Sequence, residues 1–420
     1  MYPHLHGGKA ENLNTLDPDS NLQLPVESGS LALLSFKYSN YVPKSADGRH
    51  LKSFKGRKRR IKVTIIGAGG RFGQTAALLL KQSPRVDILA MYDNSDINCG
   101  TALDLAHVDT KCRVMAYCGE DQFDDAMNGA DIILLCAGAE EKAGESQDDF
   151  FHNNAEMGLK VVKSYAKNSP NAMLVVATQP TDVLMPMMSE LLSQVDKFNP
   201  RKVFGMTAHH VIKANTHVGE VACIDPSEII VPVIGGNSTE TIVPLLSQAK
   251  PCSCLEINEV GTPQEAITLP QLYHARFVAF QEERRNITYR IKHAEEWVRG
   301  LRKHKGSDFL SCALALVRFT ISLIKGIHGE EAVIECAFVK TEKIPGLSFF
   351  ALPLLFGPEG VQQVFDMPKM SEYEQSLFQE ACFELRKSIL KGEGIVSTTT
   401  DTPLPPSFCR MVDEPPKAKC

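Results

Sequence analysis

Two features that would assign a protein class at once are absent from this sequence of 420 residues. It has no apolar run long enough to span a bilayer. It also has no large excess of charge of either sign, since its formal net charge is only -5. The first absence predicts a soluble globular protein with no membrane partner. The second argues against nucleic acid as a principal partner, because nucleic-acid-binding surfaces carry a marked basic excess.

The sequence also lacks spaced cysteine pairs with histidine partners, the pattern of a zinc site. Its 12 cysteines are scattered, and the closest pair is Cys252 and Cys254. We therefore predict no metal site. Thiols spread through segments with strand and helix composition indicate reduced, mostly buried cysteines in a reducing compartment.

Both ends of the chain lack the composition of a folded domain. Residues 1–60 form a low-complexity extension that ends in the basic run Lys55–Arg60, and residues 392–420 form a proline-rich tail that we expect to be disordered. Acids in the first 30 residues, such as Glu11 and Asp17, are atypical of a mitochondrial presequence. The basic run is interpreted as a solvated charge cluster, and the alternative is a nuclear-localisation or nucleic-acid patch.

A dinucleotide-binding pattern begins at residue 62. Beta-branched residues predict a strand at Lys62–Ile66, and Gly67, Gly70 and Gly73 follow at the spacing of a glycine turn before a helix. Small residues there let backbone amides at the N-terminus of a helix approach a pyrophosphate. Arg71, within the turn, either contacts that pyrophosphate or points to solvent.

Two further strands support this interpretation. Ile88–Asp93 ends in an acid about 20 residues after the last glycine, where a dinucleotide fold binds the adenosine ribose. A carboxylate at Asp93 favours NAD, since it would repel the extra phosphate of NADP. A third strand-like run, residues 131–138, closes on Ala137 and Gly138, which are small enough to lie under a cofactor.

From Ile61 to about Lys391 the sequence resembles the NAD-dependent malate dehydrogenases of the mitochondrial and bacterial type. The resemblance implies an oxidoreductase of the tricarboxylic acid cycle, usually a homodimer. It implies a Rossmann-type doubly wound parallel sheet over residues 61–205, followed by an α+β substrate domain over residues 206–391. The matching strings, in order along the chain, are residues 67–74, 102–107, 148–155, 225–228, 231–236, 241–248, 333–340 and 352–357.

The resemblance also implies a set of cofactor-binding positions. Asn154 lies in the helix after the family's mobile loop, and Gln179 replaces an asparagine near the nicotinamide ribose. The complete predicted set is Gly67, Gly70, Arg71, Phe72, Gly73, Asp93, Ala137, Gly138, Asn154 and Gln179. Separately, residues 271–305 predict one long charged helix, which we interpret as a solvated outer helix, with a new binding face as the alternative.

The family's catalytic residues are replaced at the matching positions. Its base is a histidine oriented by an aspartate, and those positions hold Asn237 and His210. An amide does not titrate near neutrality, so it cannot accept the hydroxyl proton as hydride leaves.

The substrate-binding positions are replaced as well. Glu141 and Gln147 stand where the mobile loop carries two arginines, and Lys213 replaces a third arginine that forks onto a substrate carboxylate. Lysine keeps the charge but loses the planar bidentate geometry. Asp182 replaces an asparagine.

These replacements predict a catalytically impaired relative of malate dehydrogenase that keeps a structural, partner-binding or NAD-binding role. The alternative is an active NAD-dependent dehydrogenase with a different substrate, for example a cationic one, in which His210 and Asp182 form a displaced dyad. Family analogy implies a mitochondrial location, and the acidic N-terminus leaves the cytoplasm as the alternative.

Overall fold

The computed structural model describes residues 59–139, 144–251, 270–303 and 305–401. The predicted extension up to residue 58 and residues 402–420 of the predicted tail lie outside this part of the chain. The described strands are β1 (Lys62–Ile66), β2 (Ile88–Asp93), β3 (Arg113–Cys118), β4 (Ile132–Leu135), β5 (Met173–Val176), β6 (Val203–Gly205), β7 (Val233–Gly235), β8 (Ile242–Pro244), β9 (Val333–Lys340), β10 (Phe349–Gly357) and β11 (Gly360–Val364).

Helices connect most of these strands. They are α1 (Arg71–Lys81), α2 (Ile97–Ala106), α3 (Phe123–Met127), α4 (Gln147–Asn168), α5 (Thr181–Gln194), α6 (Ala208–Ala222), α7 (Pro270–Leu301), α8 (Phe309–Ile327) and α9 (Glu372–Asp401). Short 3-10 helices occur at Glu120–Gln122, Pro226–Glu228 and Leu246–Gln248.

The order of the strands confirms the predicted Rossmann-type sheet. The first six strands pair in parallel in the order β3-β2-β1-β4-β5-β6, which is the order of the dinucleotide-binding fold. β6 then pairs antiparallel with β9, through Gly205 and Phe338. The sheet continues through β10, β7 and β8, and β11 pairs with β10.

Strand β4 lies between the two hydrophobic clusters that cover the parallel half of the sheet. Its four residues are fully or almost fully buried, and successive side chains enter two different hydrophobic clusters. Ile133 and Leu135 pack with one cluster, whereas Ile132 and Leu134 pack with the other. Because side chains alternate across a strand, this division means that both faces of the sheet are covered.

The second domain builds its own core around α6 and α7. Ile287 and Ile291 of α7 are buried in a cluster with Val211 of α6 and Val233 of β7. Arg290 of α7 also pairs with Glu220 of α6 at 2.6 Å. The predicted outer helix is therefore amphipathic: one side packs on α6, while Tyr289 and Leu301 remain exposed.

Helix α8 corrects the expectation that the sequence has no apolar run long enough to span a bilayer. By length and composition alone it meets that requirement, with a mean hydropathy of 1.7. However, 61% of the apolar stretch is buried inside the fold, where Leu316 and Phe319 pack in the cluster that covers one face of the sheet. Its hydrophobicity is therefore accounted for by the core.

The structure differs in detail from two other expectations. The cysteines of the described part are free, but only Cys112 and Cys336 are buried, while Cys99 and Cys223 are exposed. Helix α9 continues to Asp401, beyond the predicted domain end at residue 391. Ile389 and Val396 of this helix are buried in the core, which gives the helix a packed face on both sides of that boundary.

Candidate functional site

The glycine turn between β1 and α1 is closely packed against neighbouring backbone. Gly67 has a φ of +91°, and a Cβ there would lie 2.5 Å from Ala137 Cα. A Cβ on Gly73 would lie 2.1 Å from the carbonyl oxygen of Gly67. Only glycine fits these two positions, because the obstacles are backbone atoms that cannot rotate away.

The turn leaves the N-terminus of α1 available to an anion. Gly70 is the N-cap residue, and no side chain caps the helix there. The first amides of a helix have no partner within the helix and carry a partial positive charge. This arrangement fits the pyrophosphate of a dinucleotide.

Asp93 lies beside this turn, as the sequence predicts. Its carboxylate accepts hydrogen bonds from the backbone N–H groups of Gly69 and Ser95, at 2.9 and 3.0 Å. Gly67 and Ala68 both donate to the carbonyl oxygen of Tyr92 at 2.9 Å, which fixes the end of β2 against the turn. The carboxylate is thus positioned at the site where a dinucleotide fold binds ribose hydroxyls.

Asn154 connects the other predicted cofactor positions. Its side chain donates to the carbonyl oxygen of Gln179 at 2.9 Å and accepts from the N–H of Ala139 at 2.7 Å. A Cβ on Gly138 would lie 2.6 Å from a methyl carbon of Thr178. The segments after β4 and β5 are therefore held together at the carboxyl ends of their strands, where ligands of open α/β sheets bind.

Arg71 and Phe72 have other contacts in the structure. The Arg71 guanidinium donates to the carbonyl oxygen of Lys305 at 2.7 Å, and Phe72 packs at the edge of a core cluster. Arg71 therefore ties the glycine turn to the segment before α8.

His210 and Asn237, which the sequence resemblance matches to the family's catalytic pair, are in contact. His210 Nε2 lies 2.9 Å from Asn237 Oδ1, and Asn237 Nδ2 donates to Thr181 Oγ1 at 3.3 Å. With the amide in that orientation its oxygen can only accept, so Nε2 of His210 must carry the proton. The pair is hydrogen-bonded, but the residue at the base position has no titrating group.

His210 is a neutral imidazole in this setting. Burial, the adjacent His209 and the charge of Lys213 hold the pKa of His210 well below its usual range. The two imidazole rings are 3.9 Å apart between centroids. Among the described residues, no hydrogen-bond partner is found for Nδ1 of either ring.

Asp182 organises the loop that follows β7. Its carboxylate accepts from the backbone N–H groups of Asn237 and Ser238, at 2.8 and 3.1 Å, and from Thr241 Oγ1 at 2.9 Å. Burial raises the pKa of Asp182, and these donors partly offset that effect. Within the described part, the hydrogen bonds of this carboxylate go to the loop and not to His210.

Lys213 forms an ion pair that the sequence did not predict. Its Nζ lies 2.6 Å from Asp308 Oδ2, and the two side chains are only 9% and 7% exposed. An aspartate before the apolar run of α8 is recognisable from sequence as a helix N-cap. Its pairing with a lysine on another helix follows only from the fold.

The loop positions are less fully placed. Glu141 lies outside the described residues, as does the side chain of Gln147, whose backbone begins α4. The hydroxyl of Ser146 caps that helix by accepting from the N–H of Asp149. No group of three or more potential metal ligands occurs in the described parts of the chain.

Comparison with known proteins gives a consistent result over the same residues. The model of the lactate/malate dehydrogenase NAD binding domain matches residues 61–205, and that of the lactate/malate dehydrogenase alpha/beta C-terminal domain matches residues 207–396. The chain belongs to the lactate/malate dehydrogenase family. It therefore contains the NAD-binding domain of that family.

Individual members of the family are similar over most of their length. Human mitochondrial malate dehydrogenase is 36% identical over 337 residues, covering 80% of this chain and 92% of the relative. The bovine mitochondrial enzyme is 35% identical over 335 residues, covering 80% and 91%.

Solved structures show the same lactate/malate dehydrogenase fold. Malate dehydrogenase from Cryptosporidium parvum has a TM-score of 0.65 at 22% identity, covering 80% of this chain and 100% of that one. Lactate dehydrogenase from Eimeria maxima, solved with NADH and oxamate, has a TM-score of 0.64 at 17% identity, covering 84% and 98%.

Proposed function

We propose that this protein binds NAD(H) but is impaired in the family reaction, which converts L-malate and NAD to oxaloacetate and NADH. The observation that carries the proposal is the hydrogen bond between His210 and Asn237. The proposal assigns Asn237, a neutral amide, to the position of the family's base, and its partner is an imidazole whose pKa is held well below its usual range by burial. The protein then has a structural, partner-binding or NAD-binding role.

Magnitudes support a large loss of turnover. General base catalysis contributes about a hundredfold to ten-thousandfold. Each lost arginine contact at about 4 Å forfeits on the order of 4 kcal/mol at an effective dielectric near 20. The replacements at Glu141, Gln147 and Lys213 add to the loss of the base.

A steady-state assay with oxaloacetate and NADH tests this proposal. Human mitochondrial malate dehydrogenase, assayed under the same conditions, is the positive control. We expect turnover by this protein to be more than a hundredfold lower. A rate within a hundredfold of the control would reject the proposal.

The second candidate is an active dehydrogenase with another substrate. The observation in its favour is the buried Nδ1 of His210, which has no hydrogen-bond partner among the described residues and is free to accept a hydrogen bond. This hypothesis predicts that some carbonyl compound supports NADH oxidation, and that the substitution His210→Ala abolishes this oxidation. Absence of oxidation across a broad panel of keto acids and imines would remove its support.

We further propose a homodimer and a mitochondrial location, both by analogy with the family. The human and bovine relatives named above are mitochondrial malate dehydrogenases. Light scattering during size-exclusion chromatography should give twice the chain mass of 46.2 kDa. Subcellular fractionation should find the protein with mitochondria, and recovery in the cytosol would contradict the location.

A further inference from the structure

The ion pair between Lys213 and Asp308 lies where the family's third substrate arginine would be. Lys213 is on α6, three residues after His210, and Asp308 immediately precedes α8. Their charged atoms are 2.6 Å apart, and both side chains are more than nine-tenths buried. The cation at this position therefore already has a carboxylate partner from the same chain.

Asp308 forms this pair instead of capping its own helix. An aspartate at an N-cap position ordinarily accepts a hydrogen bond from the second or third amide of the helix. Asp308 is the N-cap residue of α8, but its side chain caps no backbone amide. Its Oδ2 pairs with Lys213 Nζ, and its Oδ1 accepts a hydrogen bond from the Cys312 thiol at 3.4 Å.

The electrostatics keep both partners charged. Burial alone would lower the pKa of Lys213, but the negative charge of Asp308 outweighs burial and the pKa is raised. Burial alone would raise the pKa of Asp308, but the positive charge and hydrogen bond of Lys213 act against burial and the pKa is lowered. A buried ammonium and a buried carboxylate stabilise each other in this way only while both are present.

We propose that Asp308 is an internal substitute for a ligand carboxylate and masks a one-carboxylate anion site at Lys213. The inference rests on the proposed function in one respect, the assignment of Lys213 to the former substrate site. When the Asp308 carboxylate is removed, the site at Lys213 should bind a small carboxylate. The proposal also explains how a lysine remains charged in the interior without substrate.

Chemical rescue of Asp308→Ala tests the proposal. The substitution removes one carboxylate group, and formate replaces that group atom for atom. Thermal unfolding of the full-length variant is measured with increasing formate, against sodium chloride at equal ionic strength. Formate at about ten times its Kd should raise the Tm of Asp308→Ala by about 2 °C or more, and leave the wild type unchanged.

Two controls make the outcome specific. Glu220→Ala breaks the more exposed pair with Arg290, and it should not respond to formate. The double variant Asp308→Ala/Lys213→Ala lacks the cation, so it should lose the response. Equal formate effects in the single and double variants would reveal a general salt effect and overturn the proposal.

If Asp308→Ala does not fold in dilute buffer, its refolding yield is compared with and without formate. Recovery of folded protein only with formate supports the masked site, and no recovery overturns it. Because these measurements record stability, failure here leaves the oxaloacetate assay, and hence the proposed loss of turnover, unaffected.

Discussion

At the scale of single residues, His210 and Asn237 share a hydrogen bond, and the Asn237 amide offers no group that titrates near neutrality. His210 donates from Nε2 to the Asn237 amide oxygen at 2.9 Å. Asp182, which could have replaced the lost carboxylate partner, instead holds backbone N–H groups of the loop after β7. Under the proposed function, the pair fixes structure at the place where the family moves a proton.

The low pKa of His210 predicts acid sensitivity of folding. An unfolded histidine titrates near 6.5, whereas the buried imidazole stays neutral. Below that pH the unfolded state takes up a proton that the native state does not, so stability falls as pH decreases. His210→Gln should reduce the loss of unfolding free energy between pH 7.5 and 5.5, measured by urea denaturation. His107→Gln, at an exposed position, should not reduce this loss. Equal slopes of unfolding free energy against pH in the two variants would contradict the prediction.

Glu335 predicts the opposite dependence. Burial raises its pKa to about 7, and the hydrogen bond from Ser322 at 2.7 Å offsets this only in part. Between an unfolded pKa of about 4.3 and this value, the native state holds a proton that the unfolded state releases. Stability therefore falls as pH rises through this window and is level above it.

Glu335→Gln should remove that penalty. We expect a gain in unfolding free energy of up to about 3 kcal/mol at pH 8 and little change at pH 4.5. Glu331→Gln is the control, because Glu331 lies just before β9 and is exposed. A gain of the same size at both pH values would show that burial of the charge is not the cause.

At the scale of secondary-structure elements, local patterns predicted much of the nucleotide half. Strands β1 and β2 were predicted with the bounds that the structure has. The beta-branched run of β1 ends at Gly67, and the mainly apolar run of β2 ends at an acid, Asp93. The third run, residues 131–138, forms a strand only at Ile132–Leu135. Its parallel neighbour β1 ends at Ile66, opposite Leu135, so the pairing ends there.

The packing of the glycine turn gives a matched pair of substitutions. A Cβ on Gly73 would lie 2.1 Å from a backbone oxygen, whereas the nearest atom to a Cβ on Gly70 is 3.6 Å away. Gly73→Ala should lower the free energy of unfolding by about 2 to 3 kcal/mol, because α1 must move away from β1. Gly70→Ala should change it by less than about 1 kcal/mol. Equal losses in urea denaturation would contradict this account of the turn.

At the scale of the whole molecule, the sequence could place residues near one another only through the resemblance. It brought Asn237 and His210 together, since both stand at positions of a known pair. It could not reveal the contact of Lys213 with Asp308, because the two residues lie far apart along the chain and neither type specifies a partner. Contacts made by the packing of α6 against the start of α8 are decided by the tertiary fold.

The resulting molecule combines a complete nucleotide turn with an altered reaction site. The turn, Asp93 and Asn154 are arranged in the family's NAD-binding domain. By contrast, the position that the resemblance matches to the base holds the Asn237 amide, and the nearby Lys213 is paired with Asp308. Cofactor binding and turnover should therefore separate in experiment.

A single-turnover measurement tests this separation most directly. The protein is first mixed with NADH, binding is confirmed by nicotinamide fluorescence, and oxaloacetate is then added while the absorbance of bound NADH is followed. We predict that NADH binds and that oxaloacetate oxidises it more than a hundredfold more slowly than in the human mitochondrial enzyme. Oxidation of bound NADH within a hundredfold of that rate, or no binding of NADH, would contradict the account.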